Sequence, residues 1–316
     1  MAAQHHEAFV LVGATATGKT AVAHLLATEL NAVILSTDSM LVYRGMDIGT
    51  AKPTAAVRAQ FSYGGLDLVD PDAEFQIANW LEHAREFLEQ ARVAKRPVIV
   101  VGGTGLYVKC LLTGLTAQPA ADPAWRAAAA KMNRAELQMN LQQLDAARFA
   151  ALTESDRQNP RRLIRAVEIA RGFPSLGKTK DSHFQALENR ATIGGLRLPP
   201  ALLASRIQTR VQMMYAQGLL DEARQLRENF PQLSTTAQQA IGYAEAFAAL
   251  DGRSTLAEAQ TQMALRTRQF AKRQATWFRH QANVAWVDVA ADDSSHTVAE
   301  RVRQLWSQHG PTPLAY

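Results

Sequence analysis

The segment AFVLVGATATGKT, residues Ala8–Thr20, decides the fold because a short apolar run leads into a glycine-rich turn and then into a helical pattern. Residues Ala8–Val12 predict a buried β-strand, and the apolar residues of Lys19–Leu30 have helical spacing. Between them, Gly13–Thr20 fits the pattern G-x-x-x-x-G-K-S/T, whose backbone N–H groups surround a phosphate. The segment therefore predicts a phosphate-binding loop between a strand and a helix.

Every residue of this phosphate-binding loop is a candidate ligand of a phosphate group. These residues are Gly13, Ala14, Thr15, Ala16, Thr17, Gly18, Lys19 and Thr20. Lys19 brings a mobile cation, and the start of the following helix adds a favourable dipole. The Thr20 hydroxyl is a ligand for Mg²⁺, which is the predicted cofactor. The motif indicates phosphate binding without identifying the phosphate compound.

Apolar runs alternate with helical segments along much of the chain. The apolar runs are Ala32–Leu35, Val98–Val101, Ala191–Leu198 and Asn283–Val289, the predicted last strand, and the helical segments include Ile77–Val93, Leu106–Leu115 and Ser295–Ser307. This alternation predicts a parallel α/β sheet, in which ligands bind beyond the carboxyl ends of the strands. The predicted fold class is α/β, with a P-loop NTPase-like core, a parallel sheet and a helical insertion domain.

The insertion domain is predicted from a change in composition. A proline-containing linker covers residues 116–124, and the chain is then rich in Ala, Gln, Arg and Leu at helical spacing. We expect residues 119–189 to form a helical insertion domain. Residues 1–118 and 190–316 then form the α/β catalytic core and its C-terminal helices.

The composition is that of a soluble globular protein with an anionic partner. Hydrophobic residues make up 47% and charged residues 20% of the chain, and 34 basic minus 29 acidic side chains leave a net charge of +5. The single cysteine, Cys110, excludes an intramolecular disulfide and a cysteine-built zinc site, and it fits a reducing compartment. The start of the chain lacks a basic leader, and no apolar stretch is long enough to cross a bilayer. We therefore expect a cytoplasmic protein without membrane contact.

Two other strand ends have polar residues that bear on the chemistry. Val98–Val101 leads into GGTG, which offers Thr104 but no carboxylate, so the sequence argues against an ATPase magnesium site and leaves kinases open. Asp38 follows the second strand, at the same predicted sheet edge as the phosphate-binding loop. A carboxylate there is either a general base or the cap of the following turn, and the local sequence leaves both interpretations open.

Longer motifs resemble those of one enzyme family. Residues 36–53, STDSMLVYRGMDIGTAKP, resemble the long signature of the tRNA dimethylallyltransferases, which are also called tRNA isopentenyltransferases. Five further motifs are similar and occur in the family's order: GATATGKT at Gly13–Thr20, VGGTGLY at Val101–Tyr107, NPRRLIRAVEI at Asn159–Ile169, IGYAEA at Ile241–Ala246 and TRQFAKRQATWFR at Thr267–Arg279. The chain is identified as resembling the compact bacterial form, since its tail lacks the cysteines of the eukaryotic zinc finger.

The resemblance implies transfer of a dimethylallyl group from dimethylallyl diphosphate to tRNA. The acceptor is the exocyclic amine of the adenine 3′-adjacent to the anticodon. Asp38 matches the family's general base, Thr104 matches a residue that assists at the reaction centre, and Arg126 matches a basic position near the transferred group and the target nucleotide. The phosphate-binding loop and Mg²⁺ would hold the departing diphosphate, on which negative charge develops.

The resemblance also implies that the insertion domain, residues 119–189, contacts tRNA, and that residues in three segments contact the anticodon stem-loop. Their residues are Asp38, Ser39, Met40, Leu41, Arg161, Arg162, Arg165, Lys272, Arg273, Gln274, Trp277 and Arg279. From Arg266 to His280 there are five Lys or Arg residues, no acid and three interleaved aromatic residues, a pattern that suits phosphate neutralisation and base stacking. A solvated basic helix with its aromatic residues in the core is the alternative. The target adenine has to leave the stacked loop to reach a pocket at the sheet edge.

Other functions remain open from the sequence. A small-molecule P-loop kinase would use ATP and let Asp38 activate a hydroxyl group. An adenylate isopentenyltransferase would act on free AMP or ADP, although such a substrate does not need the basic helices or the insertion. A non-catalytic RNA-binding protein would leave the phosphate-binding loop and Asp38 without a task.

A few positions depart from the family pattern or allow two interpretations. Leu41 replaces a common Gln, and Gln239 and Ala244 stand where basic residues are usual, so these positions lack the side chains with which the family would contact RNA. Arg206 and Arg210 share one face of a predicted helix, where they either reach a diphosphate or are ordinary surface arginines. We expect the protein to be a monomer.

Overall fold

The structure is a computed structural model that describes residues 6–115, 122–172 and 192–315. The chain divides into two compact units. The first unit comprises Met1–Leu115 and Ala186–Tyr316, and the second comprises Thr116–Gln185. The predicted domain boundaries after residues 118 and 189 lie outside the described residues.

The first unit is built on a seven-stranded sheet. Its strands are β1 (His6–Gly13), β2 (Val33–Ser36), β3 (Tyr63–Gly64), β4 (Val98–Gly102), β5 (Ile193–Arg197), β6 (Val284–Asp288) and β7 (Thr312–Leu314). The order is β3-β2-β4-β1-β5-β6 with all of these neighbours parallel, and β7 pairs antiparallel with the start of β1. The register pairs Val12 with Gly102 and Ser36 with Val101, so β1, β2 and β4 end at one edge.

The sheet is buried on both faces because its central strands are apolar on both sides. In β1, Val10 belongs to one buried cluster and Leu11 to the other, since successive side chains of a strand point to opposite faces. In β4, Val100 and Ile99 divide between the same two clusters. Strands of this kind are typical of parallel sheets between two layers of helices.

The helices of the first unit supply these two layers. They are α1 (Lys19–Leu30), α2 (Ala55–Arg58), α3 (Ile77–Val93), α4 (Gly105–Thr113), α10 (Pro200–Ala216), α11 (Leu219–Asn229), α12 (Thr235–Gln238), α13 (Tyr243–Leu250), α14 (Leu256–Gln281) and α15 (Ser295–His309). α1 and α15 pack against each other over the face that contains Leu11, and α3, α4 and α14 contribute to the opposite cluster. No helix in the described parts of the chain is both long and apolar enough to span a membrane.

The second unit has a small helical core of its own. Its described helices are α5 (Pro123–Ala129), α6 (Arg134–Leu144), α7 (Ala146–Ala151), α8 (Glu154–Arg157) and α9 (Pro160–Gly172). Side-chain caps begin several of them: Asp122 accepts from the N–H of Trp125, and Asn133 forms a reciprocal capping box with Glu136. Apolar residues of α5, α6 and α9, including Trp125 and Leu163, form the core.

The α/β fold class with a parallel sheet is confirmed, and most of the predicted elements lie where the periodicity placed them. The helices Lys19–Leu30 and Ile77–Val93 have the predicted bounds. Two short strands were not predicted, namely β3 and β7. The prediction that Asn283–Val289 holds the last strand was therefore wrong, because β7 follows it and covers the start of β1. Strands of two or three residues are too short to show a period.

Candidate active site

The phosphate-binding loop, Gly13–Thr20, lies between β1 and α1, and its backbone depends on glycine at two positions. Gly18 has a left-handed backbone with φ 92° where α1 begins. Gly13 has φ 145°, and a Cβ atom there would lie 2.6 Å from the carbonyl oxygen of Leu196 on β5. The loop therefore passes close over the end of the neighbouring strand and leads its backbone into the start of a helix, the arrangement that binds phosphates.

Lys19 projects from the loop and is poorly solvated. Its Nζ donates a hydrogen bond to the carbonyl oxygen of Ala14 at 2.6 Å, as does the hydroxyl of Thr17 at 2.9 Å. Burial lowers the pKa of Lys19 to about 7; the Asp38 carboxylate opposes this shift, and the Arg210 guanidinium adds to it. An anion in the pocket would favour the ammonium form, so anion binding and protonation of Lys19 are coupled.

Asp38 and Thr104 follow different strands, and a hydrogen bond from the neighbouring Ser39 joins their two turns at the sheet edge. The Asp38 N–H donates to Ser36 Oγ at 3.2 Å, and Asp38 Oδ1 accepts from the N–H of Met40 at 2.9 Å. The N–H of Ser39 donates to Thr104 Oγ1 at 3.2 Å, which ties the turn after β2 to the turn after β4. Asp38 caps the turn through one carboxylate oxygen and also lines a pocket. A role as a turn cap and a role as a general base are therefore compatible for this residue.

The phosphate-binding loop and Asp38 open into one pocket of about 500 Å³ within the first unit. This volume is in the range of small-molecule sites. The lining is polar near the loop and includes apolar side chains elsewhere. Its residues include Thr15, Ala16, Gly18, Lys19, Thr20, Ser36, Asp38, Leu41, Thr50, Pro53, Tyr63, Gly103, Arg206, Arg210, Met213 and Gln274.

Helix α10 turns two arginines towards the phosphate-binding loop. A guanidinium nitrogen of Arg206 lies 3.9 Å from where a Cβ atom would stand at Gly18. Arg210 donates to the carbonyl oxygen of Thr50 at 3.4 Å, and burial lowers its pKa while Asp38 opposes the shift. Both arginines line the pocket that the phosphate-binding loop opens into, so they are not ordinary surface arginines.

The pocket contains suitable ligands for Mg²⁺. Thr20 and Asp38 line it, and hydroxyl and carboxylate oxygens are the hard donors that this ion prefers. Across residues 6–115, 122–172 and 192–315, no group of three or more His, Cys, Asp or Glu side chains is arranged to hold a metal. A Mg²⁺ ion bound here would take its remaining ligands from water and diphosphate oxygens, as it commonly does.

Gln274, on α14, is buried beneath the phosphate-binding loop. Its Oε1 accepts a hydrogen bond from the N–H of Thr15 at 2.8 Å. Its Nε2 donates to the carbonyl oxygen of Gly103 at 2.9 Å. The side chain predicted to contact tRNA thus joins the loop to the turn after β4.

The remaining predicted tRNA contacts on α14 have different environments. Trp277 is partly buried and packs against Gly105, where a Cβ atom would lie 2.2 Å from the indole ring. Lys272, Arg273 and Arg279 are exposed. The helix therefore has a basic outer face, while Trp277 packs beside the start of α4.

The second unit contains the other predicted basic residues. Arg126 makes two hydrogen bonds to Glu168, at 2.6 and 3.1 Å, and Arg165 donates to the same carboxylate at 2.8 Å. Although burial opposes it, hydrogen bonds from these arginines keep the pKa of Glu168 below its usual range. Arg162 pairs with Asp156 at the surface, and Arg161 is exposed on the same helix. The structure thus groups Arg126 with Arg165 through one buried carboxylate.

Two features of the site could not be assigned from local sequence. The i, i+4 spacing of Arg206 and Arg210 shows a shared helical face but not which way that face points. Gln274 lies in a basic segment that resembles an RNA-binding helix, and nothing in that segment indicates its contact with a loop 259 positions away in the chain. Both depend on packing between distant elements.

The chain is similar in sequence to the members of one enzyme family. The model of the IPP transferase family matches residues 41–281, and that of the isopentenyl transferases matches residues 6–60. The chain is 41% identical over 283 residues to the tRNA dimethylallyltransferase of Anaeromyxobacter sp. (strain K), which covers 88% of this chain and 92% of the relative. It is 39% identical to that of Stenotrophomonas maltophilia, with 90% and 93% covered.

Solved structures show the same likeness. The tRNA isopentenylpyrophosphate transferase of Bacillus halodurans superimposes with a TM-score of 0.69 at 34% identity, and 96% of each chain is covered. A eukaryotic dimethylallyltransferase acting on tRNA has a TM-score of 0.77 at 22% identity, with 95% of this chain and 78% of that chain covered, and shows the shared fold. The extent of the family match and the identities show that the chain belongs to the IPP transferase family, the family of the tRNA dimethylallyltransferases.

Proposed function

We propose that the protein transfers a dimethylallyl group from dimethylallyl diphosphate to the exocyclic amine of the adenine 3′-adjacent to the anticodon of tRNA. The observation that carries this proposal is the shared pocket of the phosphate-binding loop and Asp38, which supports an anionic leaving group and a proton acceptor at one site. Family membership supports prenyl transfer as the reaction, and it does not favour a kinase or an enzyme of free adenylates.

The phosphate side of the pocket stabilises the leaving group. As the bond between prenyl C1 and the diphosphate oxygen breaks, negative charge grows on that oxygen. Lys19, Arg206 and Arg210 supply positive charge around the loop, and the backbone N–H groups of a loop of this kind supply fixed donors. Bound to Thr20, Mg²⁺ would add its own charge to this stabilisation.

The opposite side of the pocket activates the acceptor. The adenine amine forms a bond to prenyl C1 and releases one proton. Asp38 is the proposed acceptor of that proton, because its carboxylate lines the pocket beside the loop. Thr104, linked to the Asp38 turn through Ser39, keeps the two strand ends together at the reaction centre.

Recognition of tRNA is assigned to the basic residues of both units. Lys272, Arg273 and Arg279 on α14 are exposed and suit the phosphates of an RNA backbone. We assign Arg126 and Arg161–Arg165 of the second unit to the same substrate on the strength of the family motifs. The enzyme acts as a cytoplasmic monomer in this proposal.

The proposal is tested by counting label from radioactive dimethylallyl diphosphate in unmodified tRNA, with Mg²⁺ present and AMP as a competing acceptor in a parallel reaction. Label should enter tRNA alone. Asp38→Ala should lower kcat by about 100-fold or more while tRNA affinity changes little, since a general base contributes about 10²–10⁴-fold. Asp72→Ala, which removes an exposed carboxylate, is the matched control. Full turnover of the Asp38 variant would remove Asp38 from the base role.

A further inference from the structure

We propose that Gln274 is a positioning residue that sets the separation between the leaving-group side and the acceptor side of the reaction centre. The inference rests on the proposed function, since it assigns these two sides to diphosphate and adenine. It assigns Gln274 a task inside the protein in place of a direct contact with RNA.

The contacts of the carboxamide support this role. Gln274 is only 6% exposed, and both ends of its carboxamide are hydrogen-bonded to backbone groups. Oε1 accepts from Thr15, within the phosphate-binding loop, and Nε2 donates to Gly103, the residue before Thr104. One side chain therefore joins the segment that binds the leaving group to the segment that holds the acceptor side.

The neighbouring backbone is shaped around this side chain. A Cβ atom at Gly103 would lie 2.3 Å from Gln274 Nε2 and 3.0 Å from the carbonyl oxygen of Gly13. The absence of a side chain at Gly103 thus allows the carboxamide to reach the turn while the turn stays close to the phosphate-binding loop. Gly103 and Gln274 form a complementary pair.

The chemistry of the pocket explains why this residue is a neutral amide. A carboxylate at position 274 would lose the donor to Gly103 and would place negative charge beside the loop that binds diphosphate. Two like charges at short range repel strongly where water is scarce. An alanine would leave the Thr15 N–H and the Gly103 carbonyl without their partner, so both segments would move more freely.

Small changes in this separation matter for the reaction. The acceptor nitrogen has to lie close to prenyl C1, in line with the breaking bond, and a misplacement of about 1 Å can cost on the order of 100-fold in rate. A positioning role therefore predicts a loss in kcat without a loss in RNA affinity. An RNA contact predicts the reverse.

The test compares Gln274→Ala and Gln274→Glu with the native protein. Gln262→Ala, which removes an exposed glutamine from the same helix, is the control. We expect Gln274→Ala to lower kcat by about 10- to 100-fold while the Kd for tRNA stays within twofold. Gln274→Glu should raise the KM for dimethylallyl diphosphate at least tenfold. An unchanged kcat combined with weakened tRNA binding would overturn the proposal, as would losses that merely follow the fraction of folded protein.

A double-mutant cycle separates positioning from general damage. Gly103→Ala places a methyl group where the Gln274 carboxamide lies, so Gly103→Ala alone should lower kcat. In the double variant Gly103→Ala/Gln274→Ala this clash is absent. We expect the double variant to be no slower than the slower single variant, whereas independent sites would multiply their losses.

Binding of inorganic diphosphate provides a readout that does not need prenyl transfer. Gln274→Glu should weaken this binding at least tenfold and Gln262→Ala should not. If the native protein did not modify tRNA but the two variants still differed in diphosphate affinity, the proposed function would be wrong. The contact of Gln274 with the phosphate-binding loop would nevertheless be supported. Equal diphosphate affinity in native protein and Gln274→Glu would refute the placement of Gln274 beside the anion.

Discussion

Lys19 carries its charge where water solvates it poorly, and its protonation therefore depends on the contents of the pocket. Burial lowers the pKa of this lysine to about 7, so Lys19 is only partly protonated in the unliganded site near neutral pH. Bound diphosphate favours the ammonium form and raises the pKa. Below pH 7 the proton is already present, whereas above pH 7 it has to be taken up from solution when diphosphate binds.

This linkage predicts net proton uptake when inorganic diphosphate binds above pH 7. At pH 8 the native protein should take up more protons than Lys19→Arg, and the difference should approach one proton, because arginine stays charged throughout. Titration calorimetry in two buffers of different ionisation enthalpy measures this quantity. The protonation of diphosphate itself is common to both proteins and cancels in the comparison. Equal uptake by the two proteins would show that Lys19 is already charged in the unliganded site.

Local motifs identified the residues of the site that lie within a few positions of a strand end. Lys19, Thr20 and Asp38 follow β1 and β2 directly, so the topology of a parallel sheet was enough to bring them to one edge. Arg210 and Gln274 reach the pocket from helices far along the chain. The direction in which these two side chains point depends on how α10 and α14 pack, and no short-range sequence pattern encodes that packing.

At the scale of elements, a loop after β2 is anchored by a helix that is distant in sequence. The Glu222 carboxylate on α11 accepts hydrogen bonds from the backbone N–H groups of Asp47 at 3.1 Å, Ile48 at 2.8 Å and Gly49 at 3.2 Å. The hydroxyl of Tyr243, whose pKa is raised by burial and by this carboxylate, donates to it as well. The anchored loop leads into Thr50, which lines the pocket.

Glu222→Ala should lower the free energy of unfolding by about 2–4 kcal/mol, because several backbone N–H groups and a buried hydroxyl lose one charged acceptor. Urea denaturation followed by circular dichroism measures the change. Glu228→Ala removes an exposed carboxylate from the same helix and should change stability by less than about 0.5 kcal/mol. Equal urea midpoints of unfolding for the two variants would mean that the hydrogen bonds from the loop to Glu222 do not stabilise the fold.

The longer helices were predictable, whereas the strands of two or three residues were not. α1 has 12 residues and α3 has 17, and the bounds of both were predicted from the sequence. β3 has two residues and β7 has three, and each is stabilised by pairing with a strand elsewhere in the chain. Their assignment needs the neighbouring strand, which is information about tertiary structure.

At the scale of the whole molecule, the net charge of +5 matters through its distribution. Arginines in several surface helices are paired with nearby acids, as Arg92 is with Glu89 and Arg303 with Glu300. The outer face of α14, by contrast, is within a segment that has no acidic residue from Arg266 to His280. RNA should therefore bind through this segment more than through the paired arginines.

The salt dependence of tRNA binding tests this distribution. Lys272→Ala/Arg273→Ala should reduce the slope of log K against log salt by about 0.7–0.9 for each RNA phosphate that these side chains neutralise. Arg92→Ala/Arg303→Ala changes the net charge equally and should leave the slope unchanged, because these arginines pair with Glu89 and Glu300 and do not neutralise RNA phosphates. Filter binding from about 50 to 200 mM salt covers the useful range. Equal slopes for both double variants would mean that tRNA binding depends on the net charge of the protein and not on the basic residues of α14.

The pairing of β1 with β7 has a consequence for the order in which the protein forms during translation. Leu11 in β1 pairs with Gly194 in β5, and Ala8 pairs with Thr312 in β7, so two of the three partners of the first strand are made late. The second unit is a contiguous stretch of chain and can collapse while synthesis continues. The sheet with the catalytic edge cannot be completed until residues 312–314 have left the ribosome. Ribosome-bound nascent chains should therefore contain a folded second unit before they can bind diphosphate.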